Sequence, residues 1–383
     1  MVKAEESPGY EARSVAMNHA HLANARLFAV PERRFWLQGP NGRHLCLVFP
    51  VLGLDLSRLS QGLYARLNSE FARQVSLQVA QGLALLHSLG LCHGDSQTSW
   101  CSQDGLSWNP LGEPPEPHAP KYVVAPLDLR APATVNLFTG EVCIIDFDQS
   151  FATASGPAQG SWPGTPLKYL APEACVGRPL SPASDIWALG CAIFRLRKGD
   201  DIFYDWDTNC PADALTVIAE VIGELPEDWA QTRFNYDGFL AEDDEPGDPY
   251  LPPDTARPLE GHVRGIVDEP ASLFISADGR LVDPADVNPP SPIMPEWHPL
   301  REPYPPPLRS MVWKPTAICV AGNYSVAYSS GGETEKMLEA FPKIPEREAD
   351  LLFDLLSKIF IYDPDKRLTA EEVVAHPWFR FSE

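Results

Sequence analysis

The stretch from Asp146 to Asp185 places the tightest limit on what this chain can fold into. It reads Asp146-Phe147-Asp148, then a polar segment, then Gly164-Thr165-Pro166, Tyr169, Ala171-Pro172-Glu173 and Asp185-Ile186-Trp187. Val142 to Ile145 is a short apolar run, so a buried strand is expected to deliver Asp146 at its end. A carboxylate in that position can hold a divalent metal through its oxygens. The Ser, Gly, Thr and Pro residues that follow have the composition of a surface loop. Ala171-Pro172-Glu173 closes that loop, and Asp185 is expected to open an apolar helix through Trp187, Leu189, Ile193 and Phe194.

Periodic segments flank this stretch on both sides. Phe71, Val75, Val79, Leu83 and Leu86 recur at helical spacing, which predicts an amphipathic helix over Ser69 to Gly90. Cys92-His93-Gly94-Asp95 follows it directly. Upstream, Tyr10 to Leu27 has helical character. Leu45 to Val51 reads as a strand behind the turn residues Gly39-Pro40-Asn41-Gly42. Downstream, Asp213 to Leu225 reads as a helix with Leu215, Ile218, Val221 and Ile222 inward. Leu351, Leu352, Leu355, Leu356 and Ile359 mark another helix. A turn at Asp363 to Arg367 then leads to a Thr369/Glu372 capping box. Two stretches carry no period. Gly112 to Pro132 is Pro-rich, and Arg233 to about Pro345 contains Asp243-Asp244-Glu245 and a Pro run from 303 to 307. Both read as solvated inserts.

Charge and cysteine usage narrow the function class. Lys and Arg number 30 against 52 Asp and Glu, a net charge of −22. That balance excludes nucleic acid or an anionic membrane as the main partner. Eight cysteines are scattered without a CxxC pair, which does not support a zinc site or a disulfide frame. Cys143 and Cys191 lie in apolar runs and are expected to be buried thiols. The first residues do not form a secretory signal, and no apolar run reaches membrane-spanning length. The expected location is intracellular, cytoplasmic or nuclear.

The ordered set from Asp146 to Asp185, with His93-Gly94-Asp95 ahead of it, resembles the catalytic loop and activation segment of eukaryotic protein kinases. The segment GPNGRHLCLVFPVLG resembles the strand and interlobe hinge of SR-protein kinases, in the CMGC group. The resemblance implies an α+β, protein kinase-like two-lobed fold, with a largely helical C-lobe and an incomplete β N-lobe. Residues 1–52 would be the partial N-lobe, from helix C to the hinge. Residues 53–383 would be the C-lobe, with inserts at about 101–133 and 234–345. It further implies ATP and Mg²⁺ as cofactors, with Asp95 as catalytic base and Asp146 as metal ligand. Phe49 would be the gatekeeper, and the Pro50 carbonyl and Leu52 N–H would face the adenine edge. Glu11 matches the helix-C glutamate, while the family's phosphate-binding lysine and Gly-rich loop fall upstream of Met1. Lys3 is offset by an odd number of strand positions and so points to the other face. Arg367 is expected to clamp Glu173. The implied partner is a protein substrate, basic and Arg/Ser-rich, and the expected state is a monomer.

Four positions depart from the family pattern. Gly94 replaces an arginine, Gln97 a lysine, Trp100 the metal-binding asparagine and Asp148 the glycine after Asp-Phe. A neutral amide and an indole cannot replace an ammonium and an oxygen ligand. Phosphoryl transfer depends on positioning and charge neutralisation, so catalysis by the chain as written is expected to be impaired. Three readings follow: a serine/threonine protein kinase, a pseudokinase acting as a binding scaffold, and a small-molecule kinase. The last rests on a likeness of His-Gly-Asp and Ile-Asp-Phe-Asp to aminoglycoside phosphotransferases, which lack the 171–173 and 185–187 sets.

Overall fold

In the computed structural model of the chain, the described residues are 7, 10, 22, 26–40, 42–50, 52, 56, 66–94, 140–157, 164–242, 246–268 and 341–382, together with the backbone of short strands between 274 and 325. The chain enters through a hairpin. β1 (Arg33–Gly39) and β2 (Gly42–Val48) pair antiparallel from Arg33↔Val48 to Gly39↔Gly42. The strand predicted over Leu45 to Val51 thus begins and ends earlier. Leu45 and Cys46 are its buried residues, and the Leu45 N–H donates to Ser7 Oγ at 3.0 Å. β1 was not expected, because Arg33, Arg34 and Gln38 dilute its alternation.

After β3 (Arg66–Leu67) comes α1 (Ser69–Ser88), as the periodicity predicts. It starts where it does because the Asn68 side chain accepts from the Phe71 N–H at 2.7 Å, satisfying a donor that the first turn leaves free. β4 (Leu91–Cys92) pairs antiparallel with β5 (Phe151–Ala152) and lies directly ahead of His93 and Gly94. A single helical turn, α2 (Pro172–Cys175), precedes α3 (Pro182–Lys198). α3 begins at Pro182 and not at Asp185, because Ser181 and Ser184 form a capping box there. α4 (Pro211–Ile222), β6 (Arg233–Phe234), β7 (Asp248–Pro249) and α5 (Leu259–Arg264) follow. The stretch 274–325 contributes a small sheet, and α6 (Glu346–Ile359) and α7 (Ala370–Ala375) complete the helical layer. The Thr369/Glu372 capping box forms as expected.

One apolar cluster joins these helices. Leu83 and Leu86 of α1, Trp187, Leu189 and Ile193 of α3, and Leu352, Leu356 and Ile359 of α6 are all buried in it. Phe71 and Val75 are buried as predicted, and Val79 is partly covered against the cluster. Trp187 stacks on Phe203 with ring centroids 4.9 Å apart and meets the edge of Phe360 at 5.0 Å. Gly190 makes the close approach of α3 to α6 possible. A Cβ there would lie 2.6 Å from Ile359 Cγ2 and 2.8 Å from the Phe360 ring.

Three expectations need correction. The run from Val142 to Ile145 is not a strand. Ile144 makes one parallel bridge to Phe28, and it alone of that run is buried, because the run pairs with an irregular segment and not with a sheet. Cys143 is half-buried, not buried, whereas Cys191 is buried as expected. The reading of 234–345 as solvated fails in its first third, where Leu259, Val263, Ile266 and Val267 are buried.

The reason for that packing is electrostatic as well as apolar. Arg197, fully buried, forms hydrogen bonds to both Glu348 oxygens, at 3.0 and 2.9 Å, and to both Asp268 oxygens, at 2.6 and 2.9 Å. Arg73 adds a bond to Glu348 at 3.0 Å. Burial alone would raise the Glu348 carboxyl, but the two guanidiniums bring it below its ordinary value. Arg66, also buried, donates to the Val267 carbonyl at 2.7 Å. Buried charges persist only when paired in this way. Among the described residues, no helix is long and apolar enough to cross a membrane.

Candidate functional site

The site is organised by a column of buried groups running from Phe28 to Asp185. Phe28 meets Phe147 edge-on at 5.8 Å, and Phe147 meets His93 edge-on at 5.2 Å. His93 Nε2 donates to the Ile145 carbonyl at 2.8 Å. Asp185 holds the loop from below, accepting from the His93 N–H at 2.8 Å and from the Gly94 N–H at 3.1 Å. Its Oδ2 also lies 2.9 Å from His87 Nε2. So Asp185 ties α1, α3 and the start of the catalytic loop together, a positioning role rather than the helix-opening one expected from sequence. His93 Nδ1 is buried and has no hydrogen-bond partner among the described residues.

Asp146 is the one described non-glycine residue with a positive φ, at 67°. Such a conformation costs energy and persists only where the surroundings demand it. Here it reverses the chain, so that Phe147 enters the core while Asp146 faces solvent. Asp148 sits just beyond. Burial, then the charge of Asp146 and a hydrogen bond shared with it, push the Asp148 carboxyl up to about 6. Two adjacent carboxylates offer the hard oxygen donors that a divalent cation prefers, so the residues present fit Mg²⁺. Among the described residues, no group of three or more His, Cys, Asp or Glu is arranged to hold a metal.

Phe49 is exposed to 39%, and Pro50 and Leu52 are half-buried at the end of β2. Pro50 lacks an N–H and can only accept, which leaves Leu52 as the donor of that pair. Asp95, Glu11, Lys3, Gln97 and Trp100 lie outside the described residues.

Gly94 is held in place by its surroundings. Its φ is +78°, and a Cβ added there would sit 2.5 Å from the Gln149 carbonyl oxygen and 3.1 Å from the Phe151 ring. The family's arginine therefore has no room in this turn. Gly94→Ala is expected to cost more than about 1 kcal/mol, because both the dihedral and the contact oppose a side chain. Urea unfolding measures this, and an unchanged midpoint would show that the turn relaxes freely.

The segment after the polar loop is anchored at two points. Thr165 Oγ1 donates to the Gly94 carbonyl at 3.4 Å. Asp201 accepts from Lys168 at 2.9 Å, from Tyr169 at 3.1 Å and from Arg195 at 2.6 Å. Sequence reasoning missed Asp201, since nothing in its local pattern distinguishes it from Asp200. A shallow cleft lies behind the segment, lined by Gly94, Thr165, Leu170, Leu180 and Ser184. The clamp behind it is as expected. Arg367 donates to Glu173 Oε1 at 2.8 Å and to Oε2 at 2.6 Å, with both residues buried.

The pH dependence of this frame has a definite sign. For Asp185, Asp201 and Glu348, burial works to raise the carboxyl. The partners just named outweigh it, and all three lie below their ordinary values. Carboxyls depressed in the folded state add stability above their unfolded values, 3.8 for Asp and 4.5 for Glu. That stability is lost as pH falls through the folded values. Urea midpoints should therefore fall as pH drops below about 4. The gap between wild type and Asp201→Asn should narrow over the same range. A gap of constant width would contradict the assignment.

Comparison with known proteins agrees with this geometry. The protein kinase domain family model matches residues 133–379, more than half of the chain. Dual specificity protein kinase lkh1 of Schizosaccharomyces pombe is 22% identical over 338 residues, covering 88% of this chain and 36% of the relative. Dual specificity protein kinase CLK1 of Mus musculus is also 22% identical over 338 residues, covering 88% of this chain and 50% of the relative. Homeodomain-interacting protein kinase 1 of Mus musculus is 30% identical over 157 residues, 41% of this chain and 10% of the relative. The chain thus spans half or less of the length of these relatives. With the Asp146–Phe147 turn, the Asp185 anchor and the Glu173–Arg367 clamp in their places, the chain belongs to the protein kinase family.

Proposed function

We propose that this chain binds ATP–Mg²⁺ in the manner of a serine/threonine protein kinase and transfers the γ-phosphoryl group to protein hydroxyls slowly or not at all. The observation that carries the reading is a contrast. The frame that aims the catalytic loop is intact, with Asp185 on the His93 and Gly94 amides and Phe147 buried beside His93. The groups that would neutralise the transferred charge are replaced, by Gln97 and Trp100. In this reading Asp146 and Asp148 supply oxygens to the metal, the Pro50 carbonyl and Leu52 N–H receive the adenine edge, and Asp95 orients the substrate hydroxyl. When bound, Mg²⁺ would neutralise phosphate charge.

A basic, Arg/Ser-rich protein substrate suits the net charge of −22. Gly94 favours the second reading, a kinase-fold scaffold. Without room for an arginine at that turn, a phosphate on the polar loop has lost its usual guanidinium partner. The small-molecule kinase reading is disfavoured by the Glu173–Arg367 clamp and by the family match. The test is transfer from radiolabelled ATP to a basic Arg/Ser-rich protein, comparing wild type with Asp95→Asn. Equal, background-level signals support the proposal. Robust turnover abolished by Asp95→Asn would overturn the impairment and leave an ordinary kinase.

A further inference from the structure

The first turns of α6 and the C-terminal turn leave an open groove between them of about 810 Å³, solvent included. Arg347, Asp350 and Leu351 line it from the helix, and Pro377, Arg380 and Phe381 line it from the turn. None of these residues belongs to the nucleotide site described above.

The positive charges in this groove are not used by the fold. Arg73, Arg195, Arg197, Arg257, Arg264 and Arg367 each bond a carboxylate. Arg347 and Arg380 are exposed, and neither makes a hydrogen bond or ion pair with any described residue. The one acid in the groove, Asp350, is turned to Arg264 at 2.8 Å. The apolar side is already in place. Phe381 packs under the Arg73 guanidinium, 5.2 Å from its ring centroid, and Arg73 is fixed by buried Glu348. Two unengaged guanidinium forks flanking a pre-set apolar floor match carboxylates on either side of an apolar side chain.

We propose that this groove docks an acidic peptide segment of a partner protein, with carboxylate side chains on Arg347 and Arg380 and an apolar side chain against Leu351 and Phe381. Charge complementarity makes the choice of occupant. A basic segment would be repelled by the two guanidiniums, and a bare inorganic anion would leave the apolar floor uncovered. The overall charge of −22 does not forbid an acidic partner, because charges beyond about 8 Å are largely screened at physiological salt. The proposal is independent of the nucleotide reading.

The test is fluorescence anisotropy with the full chain at physiological salt, using a short fluorescein-labelled peptide that alternates glutamate and leucine. Saturable binding is expected, weakened roughly tenfold or more by the Arg347→Ala/Arg380→Ala double variant and weakened also by Leu351→Ala. A glutamine-for-glutamate peptide should not bind. Since neither arginine supports the fold, the double variant should keep the wild-type melting temperature. Binding unaffected by the double variant, or absent at every concentration, would overturn the proposal. So would equal binding of a serine-for-leucine peptide, or full displacement by an equal concentration of inorganic phosphate, which would leave only a simple anion site.

Discussion

Arg367→Ala should lower the melting temperature by roughly 5 °C. The guanidinium fork meets both oxygens of Glu173, which is itself fully buried. It also donates to the carbonyls of Ala183, Ile361 and Tyr362, and lies over the Trp187 ring at 5.0 Å. Truncation leaves the carboxylate with Ser184 Oγ as a donor and takes one donor away from each of three carbonyls. Breaking one side of a buried pair costs about 3–5 kcal/mol for this reason. Arg367→Lys should recover little, since a point ammonium cannot satisfy a fork geometry. Replacing both partners with methionine should be milder than Arg367→Ala, because no charge is left buried alone. Melting curves of the three variants test the account, and an unchanged curve for Arg367→Ala would refute it.

Turnover near background, the same for wild type and Asp95→Asn, is the second large effect expected. Each lost electrostatic contact to the transferring group typically costs on the order of 10²–10³ in rate. In the proposed reading Gln97 and Trp100 stand at two such positions, and although losses of this kind do not add simply, either would bring a modest kinase close to background. The converse follows. Gln97→Lys with Trp100→Asn should raise turnover by about tenfold or more, and that gain should vanish when Asp95→Asn is added. ATP affinity should change less than rate, because the proposed adenine contacts at Pro50 and Leu52 and the proposed metal ligand Asp146 are untouched by these changes. If the repaired variant binds ATP but gains no Asp95-dependent turnover, the two substitutions are not the cause of the impairment.

Some parts of this structure were legible without coordinates because their signals are local. The α1 helix repeats its apolar residues every turn, and Thr369 and Glu372 satisfy each other's amides across a few residues. The Glu173–Arg367 pair spans the chain, yet it could be anticipated because both residues sit in motifs whose order resembles a known family. The helix Leu259–Arg264 escaped notice, since six residues in a polar, proline-rich stretch are too few to show a period. The left-handed turn at Asp146 was equally hidden, because an aspartate does not announce a positive φ.

Sequence by itself determined the helical core, the order of the motifs and the types of residue available for chemistry, because these depend on composition and on spacing within one or two turns. Tertiary structure alone decided the rest. It placed Asp185 under the His93 and Gly94 amides, filled the space beside Gly94 with Gln149 and Phe151, and joined Arg73, Arg197, Asp268 and Glu348 into one buried network. It also left Arg347 and Arg380 without partners among the described residues. Each of these is set by which distant backbone segments meet, and a buried charge or a crowded glycine acquires its meaning only from the neighbours that packing brings to it.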